Sequence, residues 1–234
     1  MSILPTSKIN WNRLLKRDFL WLANHRCTHG NRYIEHISCY LREKPLLDDA
    51  PVVERIGFLD IETSNLNADF GYIISWCIKV LDGEIIESIL TPEDINTHTF
   101  DKRIISELCS LMRTFDRLVV YYGKDYRFDV PYVRTRALHH GIDFPGHKEL
   151  VITDLFDVVK KKLRLHRNRL ATACDFLDIP AKGHTLNPTI WQKAMSGDKA
   201  SLDWILEHNR EDVISTELLW KRLEKFSPNS NTSI

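Results

Sequence analysis

The sequence predicts an α/β fold, a mixed sheet with flanking helices. From residue 52 onward, short apolar stretches typical of strands alternate with longer stretches whose apolar residues recur at helical spacing. The first three strand-like stretches follow one another, whereas helices separate the later ones, and this order indicates a mixed sheet. With 234 residues, of which 43% are hydrophobic, the chain can bury one substantial core.

The individual elements follow from periodicity and from turn residues. Asp82-Gly83 predicts a hairpin between the second and third strands, and Pro131 and Gly141 mark the first turn and the end of one helix. The predicted strands lie within residues 54–60, 71–81, 83–90, 117–123 and 149–155. The predicted helices cover residues 100–115, 129–141, 156–163 and 201–226.

Composition divides the chain into three parts and excludes some classes of protein. We expect an N-terminal segment at residues 1–50, a main domain at 51–226 and a flexible polar tail at 227–234. Equal numbers of basic and acidic residues, 32 of each, argue against a purely electrostatic nucleic-acid binder. No stretch reads as a membrane span or a signal peptide, so we expect no membrane partner. The five cysteines, an odd number, indicate a reduced, cytoplasmic protein.

The stretch RIGFLDIETSNLN, residues 55–67, ends a buried strand in two acids. Asp60 and Glu62 are two residues apart, so on an extended strand their side chains point to the same side. Two carboxylates held together repel each other, and a divalent cation such as Mg²⁺ or Mn²⁺ removes the conflict. The alternative is a solvated strand end with a pair of surface acids.

Two later stretches contribute further acids. Asp129 follows a strand and a Gly turn and stands at the start of a predicted helix, where it could equally cap backbone N–H groups. Asp212 lies on the last helix with His208 one turn before it, on a face that could equally be solvated. Acids at a strand end, a helix start and a late helix form a joint pattern that is harder to explain as surface charge.

This joint pattern resembles the DEDD superfamily of 3′–5′ exonucleases on the ribonuclease H-like fold. The branch it looks closest to is related to the proofreading domain of B-family DNA polymerases, the YprB-type proteins. FLDIET, YYGKDYRFDVPYVRTRA and HNREDV match the three motifs in order, and the resemblance covers roughly residues 52–225. It implies that Asp60, Glu62, Asp129 and Asp212 are the metal-binding acids.

The resemblance implies a two-metal hydrolysis of phosphodiester bonds. Two Mg²⁺ or Mn²⁺ ions about 4 Å apart would straddle the scissile phosphate. Asp60 would bridge both ions, Glu62 and Asp212 would complete the site that activates water, and Asp129 would support the second ion. Asp154, in the segment between the second and third motifs, would support the site indirectly.

One position departs from the family pattern. Members usually have Tyr four residues before the last acid or His five residues before it, whereas this chain has His208 at the Tyr spacing. An imidazole could still orient or deprotonate the attacking water. One residue of offset on a helix, however, rotates a side chain by about 100°.

Residues that could hold a nucleic-acid strand lie beside these motifs. Thr63 could place its backbone near the terminal nucleotide, and Tyr122, Tyr126 and Phe128 could either stack bases or belong to the core and its rim. Lys182, Gly183 and His184 could reach the strand from a loop. The densest basic stretch could track phosphates or form a solvated helix and turn; its basic residues are Lys160, Lys161, Lys162, Arg164, Arg167 and Arg169.

The N-terminal segment carries a second candidate metal site. Cys27, His29, His36 and Cys39 can supply four tetrahedral ligands to one structural Zn²⁺, although the spacing is not that of a common zinc finger. The alternative is two buried cysteines with two incidental histidines. The other three cysteines sit in apolar runs that look like core.

The sequence therefore predicts a metal-dependent 3′–5′ exonuclease whose partner is the single-stranded 3′ end of a nucleic acid. An endonuclease of the same fold is one alternative. A catalytically inactive module that binds nucleic acid or acts as an adaptor is another, and the departure at His208 keeps it open. The choice between DNA and RNA depends on contacts to the sugar 2′ position that the sequence does not place.

Overall fold

The main body of the protein is a five-stranded mixed sheet flanked by helices, as the sequence predicts. The computed structural model describes residues 16–43, 55–146, 149–180 and 187–227. Within them the strands are β1 (Ile56–Thr63), β2 (Ile73–Val80), β3 (Ile85–Ile89), β4 (Arg117–Val120) and β5 (Val151–Asp154). They lie in the order β3-β2-β1-β4-β5. Strand β1 pairs antiparallel with β2 and parallel with β4, so it is the central strand.

The described helices include all four that periodicity predicts and several shorter ones that it does not. The long final helix ends in a 3₁₀ turn at Glu224–Phe226. The helices are α1 (Lys16–Asn24), α2 (Ile37–Glu43), α3 (Pro92–Asn96), α4 (Lys102–Met112), α5 (Asp129–His139), α6 (Leu155–Lys162), α7 (Leu170–Phe176), α8 (Pro188–Met195) and α9 (Lys199–Leu223).

The predicted hairpin between β2 and β3 is confirmed. The amide of Val80 donates to the carbonyl of Glu84 at 2.9 Å, and Asp82 adopts a φ of 55°. Asp and Gly are the residues that tolerate such a left-handed turn. Strand β4 is shorter than predicted, because Tyr122 takes a φ of 62° and turns the chain out of the sheet.

The two faces of the sheet bury two separate cores. Leu59 and Ile61 of β1 belong to a core that also takes in α4 and α5, whereas Ile56 and Phe58 belong to a core with α6, α7 and most of α9. This is the alternation expected of a central strand buried on both faces.

Helix α9 contributes to both cores. Its Leu202 and Ile205 lie in the first core, and its Val213 and Leu219 lie in the second. The stretch between them therefore passes the end of β1, where the apolar residues of that strand give way to acids.

Contacts divide the chain into two compact units, Met1–Glu54 and Arg55–Ile234. In the first unit, the described residues form α1 and α2 around a small core of its own. Across the part of the chain that the structure describes, no helix is long and apolar enough to cross a membrane. Of the predicted tail at 227–234, residues 228–234 lie outside the described residues, and so do the loop residues Lys182, Gly183 and His184.

Candidate active site

The two acids of β1 lie at the end of the strand, on the face against which α9 packs. Ile56 and Phe58 are buried on this face, and Asp60 and Glu62 continue the same alternation as half-buried residues. The apolar face of β1 therefore becomes acidic where the second core ends.

Helix α9 brings polar side chains to these acids. His208, Asn209 and Asp212 are all buried, with His208 and Asp212 one turn apart. The amide Nδ2 of Asn209 donates to Oδ2 of Asp60 at 2.7 Å, and Nε2 of His208 lies 3.8 Å from Oε1 of Glu62. One ligand atom each from Glu62, His208 and Asp212 lies within 4.8 Å of the other two.

Asp129 enters the site from the start of α5, and Gly123 makes room for it. A Cβ placed on Gly123 would overlap Oδ2 of Asp129 and would lie 2.9 Å from Cβ of Val120. The turn that carries Gly123 is closed by a hydrogen bond of 2.8 Å from the amide of Val130 to the Gly123 carbonyl. Only glycine therefore allows this carboxyl to sit against the turn.

The electrostatics of Asp129 link it to the other acids. Burial is the largest cause that raises the pKa of Asp129, and the charges of Asp154 and Asp212 act in the same direction. Hydrogen bonds from the backbone N–H groups of Asp129 itself and Ile61 lower it, and the net pKa is about 8. Ile61 lies between Asp60 and Glu62 in the sequence. The helix-start acid is thus close to both the strand acids and the late-helix acid.

Together these contacts bring the predicted acids to one place. Asp60 contacts α9 through Asn209, and Glu62 lies beside Asp212. The charge of Asp212 also raises the pKa of Asp129. Like charges held this close repel, and a divalent cation removes the repulsion. Carboxylate oxygens are the ligands that Mg²⁺ and Mn²⁺ prefer, so the acids fit a metal centre, with the imidazole of His208 beside them.

The ring of His208 is held by two tryptophans. It stacks on Trp204 with ring centroids 5.5 Å apart and an interplanar angle of 11°, and Trp191 meets it edge-on at 6.2 Å. Nε1 of Trp191 donates to the carbonyl of Thr63 at 3.1 Å, which ties α8 to the end of β1. The imidazole therefore has a defined plane beside the acids.

Asp154 organises the loop between β4 and α5. Its carboxylate accepts backbone N–H groups from Tyr122 at 2.9 Å, from Lys124 at 3.1 Å and from Phe156 at 2.9 Å, and it pairs with Arg127. The indirect support of the metal site that the family resemblance implies for Asp154 stays a prediction.

The candidate stacking residues differ in exposure. Tyr122 is 50% exposed and Tyr126 is 90% exposed, whereas Phe128 packs against the first core and lies 5.4 Å from the ring of Tyr132. Thr63 is buried, and its hydroxyl donates to the carbonyl of Asn65 at 2.9 Å. The structure thus leaves two of the three predicted aromatics open to a ligand.

The predicted basic stretch is an exposed surface next to the same loop. Three of its lysines form the last turn of α6, where positive charge also suits the helix dipole. The hydroxyl of Tyr121 donates to the carbonyl of Asn168 at 2.7 Å, which holds the following loop to the end of β4. The basic side chains are all exposed: Lys160, Lys161, Lys162, Arg164, Arg167 and Arg169.

The Cys and His residues of the N-terminal unit also come together. One ligand atom from each of Cys27, His29, His36 and Cys39 lies within 4.8 Å of the other three. The remaining cysteines are buried free thiols in or near the two cores of the main unit, in agreement with the expectation from their apolar surroundings.

Sequence reasoning missed several residues of the site. Asn209 stands inside the HNREDV motif, yet no local signal indicates its bond to Asp60, 149 residues away. Arg127 pairs with Asp154 and Asp157, and Trp191 and Trp204 enclose His208. The exposed pair Leu66 and Phe70, each 80% exposed in the loop after β1, was also not singled out.

Comparison with known proteins identifies the fold. A family model described as RNase_H superfamily matches residues 57–224. Among solved structures, the chain is similar to the family B DNA polymerase from the hyperthermophilic archaeon Pyrobaculum calidifontis, with a TM-score of 0.61 and 18% identity over 76% of this chain. It is also similar to an exonuclease I structure, with a TM-score of 0.49 and 15% identity over 74% of this chain. The match spans 25% of the polymerase chain and 42% of the exonuclease I chain. A search of curated proteins finds no match.

Proposed function

Because the chain belongs to the RNase_H superfamily, we propose that it is a metal-dependent 3′–5′ exonuclease of the DEDD type acting on single-stranded nucleic acid. The observation that carries the proposal is the meeting of acids from a strand end, a helix start and a late helix around Glu62, His208 and Asp212. The 3′–5′ direction is supported by the resemblance of the three motifs to that superfamily. A cytoplasmic location, expected from the sequence, remains part of the proposal.

The residues that would hold two Mg²⁺ or Mn²⁺ ions are Asp60, Glu62, Asp129 and Asp212. When bound, the ions would supply positive charge to the scissile phosphate and lower the pKa of the attacking water. The 4.8 Å cluster of Glu62, His208 and Asp212 supports this assignment for Glu62 and Asp212.

The chain's own residues position these groups. Asn209 holds one oxygen of Asp60, so the orientation of this carboxylate is set by α9. Gly123 leaves the space that Asp129 occupies. His208, held flat on Trp204 with Nε2 toward Glu62, can orient the attacking water and accept its proton.

Aromatic and basic side chains near the turn between β4 and α5 support binding of a nucleic-acid strand there. The ring of Tyr122 lies 4.8 Å from that of Phe156, and Nζ of Lys160 lies 6.0 Å from the Phe156 ring. Exposed rings provide stacking platforms for bases, and the adjoining lysines and arginines attract phosphates. The two features together favour a single strand, whose bases are free to stack.

The proposal is tested by comparing two substitutions on the same helix. Asp212→Asn removes a proposed metal ligand, whereas Asp203→Asn changes an exposed acid of α9 that pairs with Lys199. Hydrolysis of single-stranded DNA and RNA should require Mg²⁺ or Mn²⁺ and stop with chelator. Asp212→Asn should lower kcat by about 10³-fold, the upper range for loss of one charge-stabilising group, and Asp203→Asn should leave kcat unchanged.

Two results would overturn the proposal. One is continued hydrolysis, either by the unmodified chain in the presence of chelator or by the Asp212→Asn variant. The other is an absence of hydrolysis in either metal with strand binding intact, which would favour the inactive binding module.

A further inference from the structure

The described part of the N-terminal unit has too small an apolar core to account for its fold by apolar burial. Among its described residues, 16–43, two short helices and a turn enclose a handful of buried apolar side chains. Domains of this size usually need a disulfide or a metal in addition to their core. The buried apolar residues are Leu22, Cys27, Tyr33, Cys39 and Tyr40.

Two of these buried residues are cysteines, and each faces both histidines of the same unit. Sγ of Cys27 lies 3.5 Å from Nδ1 of His36 and 3.9 Å from Nδ1 of His29. Sγ of Cys39 lies 3.2 Å from Nδ1 of His29 and 4.0 Å from Nε2 of His36. From Zn–S and Zn–N bonds of about 2.3 and 2.0–2.1 Å at a tetrahedral angle, the sulfur–nitrogen separation around Zn²⁺ is about 3.6 Å. The three separations that use Nδ1 of each histidine run from 3.2 to 3.9 Å and bracket that value. The fourth, at 4.0 Å, is to the other nitrogen of His36, which an ion bound through Nδ1 does not use.

The backbone is arranged to hold these side chains together. The amide of Cys27 donates to the carbonyl of Asn31, and the amide of Gly30 donates back to the carbonyl of Cys27, both at 2.8 Å. Gly30 takes a φ of 81°, which glycine adopts without strain. The turn thus places the side chain of His29 close to that of Cys27.

The second pair is fixed by the start of α2. The amide of Cys39 donates to the carbonyl of His36 at 3.0 Å, so the two side chains share one face of that turn. Nη2 of Arg42 donates to Sγ of Cys39 at 2.9 Å. A cationic donor of this kind stabilises a thiolate, the form in which cysteine binds a metal.

We propose that Cys27, His29, His36 and Cys39 bind one structural Zn²⁺ that holds the N-terminal unit together. Two sulfurs and two imidazoles in a tetrahedral arrangement suit zinc, and four protein ligands leave no open position for substrate. Each bound cysteine gives up its thiol proton to solvent. The site belongs to residues 1–54 alone and does not depend on the nuclease activity of the main unit.

The experiment is metal analysis of the full chain, purified without chelator under reducing conditions. About one equivalent of zinc should be bound at the four-ligand site. Cys39→Ser should lose it, whereas Cys109→Ser, which changes a buried cysteine of α4, should keep it. Asp212→Asn should also keep it, which separates this ion from any bound at the acidic cluster. Arg42→Ala should weaken zinc binding about 10–100-fold, the usual effect of removing a partner of a metal ligand.

Two measurements on the unmodified chain keep the test independent of whether a variant folds. Replacing zinc by Co²⁺ should give the strong visible absorption of tetrahedral cobalt with thiolate ligands. Chelation should speed tryptic cleavage at Arg26, Arg32 and Arg42 without speeding cleavage in the main unit. A reduced chain that takes up neither Zn²⁺ nor Co²⁺, or bound zinc that survives Cys39→Ser and is lost with Asp212→Asn, would overturn the proposal.

Discussion

At the scale of single residues, Asp129 is the acid whose titration reports most directly on the site. Its folded-state pKa of about 8 lies well above the reference value near 4, because the carboxyl is buried beside other acids. Without metal, the folded chain keeps a proton that the unfolded chain has lost between these two pH values. This contribution to stability is fully present below pH about 4 and is lost as pH rises through about 8.

We therefore expect Asp129→Asn to stabilise the metal-free protein by an amount that grows with pH. The Tm of Asp129→Asn should exceed that of the unmodified chain by an amount that grows up to pH about 8 and then stays constant. In a chain of this size, each kcal/mol of added unfolding free energy raises Tm by about 2–4 °C. Thermal unfolding of both proteins in chelator, at pH values from about 5 to about 9, measures this difference in Tm. Equal pH dependence of the two proteins would show that Asp129 is not held protonated.

His208 is the residue at which the family pattern and this chain differ. His208→Phe keeps a flat ring against Trp204 and removes both nitrogens. We expect kcat to fall by about 10²-fold, the lower range for loss of a general base, with KM and Tm nearly unchanged. Steady-state kinetics together with thermal unfolding measure this. An unchanged kcat would assign His208 a packing role only.

At the scale of elements, the turn between β4 and α5 positions the helix-start acid. Tyr122 and Asp125 take φ values of 62° and 54° there, and Asp154 and Arg127 hold the loop closed. The fit between Gly123 and Asp129 depends on the backbone of this turn.

Gly123→Ala should displace the Asp129 carboxyl and lower activity as strongly as Asp129→Asn does. The added methyl also meets Val120, so unfolding free energy should fall by about 1–3 kcal/mol. Gly146→Ala is the matched control, because the nearest atom to its added Cβ is 3.6 Å away on a flexible Glu149 side chain. Activity and urea unfolding of both variants test the fit, and an active Gly123→Ala would contradict it.

The long helix shows why the whole site assembles where it does. Helix α9 contacts the first core up to Ile205 and the second core from Leu206 onward. It presents His208, Asn209 and Asp212 between Leu206 and Val213. The same interval faces the end of β1. The acids therefore lie at the boundary of the two apolar cores, where Asp129 and Asp212 are buried and Asp60 and Glu62 are half-buried.

At the scale of the whole molecule, the sheet was largely predictable, because local patterns encode its strands. The apolar runs before Asp60 and the Asp82-Gly83 turn indicate strands and a hairpin, and the family resemblance indicates the four acids. The contact of Asn209 with Asp60 and the stacking of His208 on Trp204 depend on how α9 packs across the sheet. Such contacts between distant parts of the chain leave no periodic trace in the sequence.

Short elements were missed for a different reason. Helices α3, α7 and α8 have only 5, 7 and 8 residues, too few to show helical periodicity. Side-chain caps stabilise α3 and α8, and tertiary packing stabilises all three. Strand β4 ends at Val120 rather than in the apolar YYG run, because the bonds of Asp154 to the Tyr122 and Lys124 amides pull that segment into a turn.

The basic side chains of residues 160–169 also act at the scale of the whole molecule, because their summed charge would attract a nucleic-acid strand. Replacing all three lysines of Lys160–Lys162 by Gln should raise KM and reduce the slope of log KM against log salt by about 2, at about 0.7 per phosphate contact on a single strand. Initial rates over a salt series measure the slope. The charge-matched control replaces three exposed basic residues elsewhere: Lys199, Arg222 and Lys225. Equal slopes in the two variants would show that residues 160–162 do not contact the strand.

The most direct test of the central claim is a time course on one single-stranded oligonucleotide labelled at either end, with Mn²⁺, comparing the unmodified chain with Asp60→Asn. We predict that a 3′ label is released as mononucleotide at the first time points, while a 5′-labelled strand shortens stepwise. The Asp60→Asn variant should neither release the 3′ label nor shorten the 5′-labelled strand. Internal fragments that retain the 3′ label would indicate an endonuclease instead, and equal activity of Asp60→Asn would contradict the four-acid site itself.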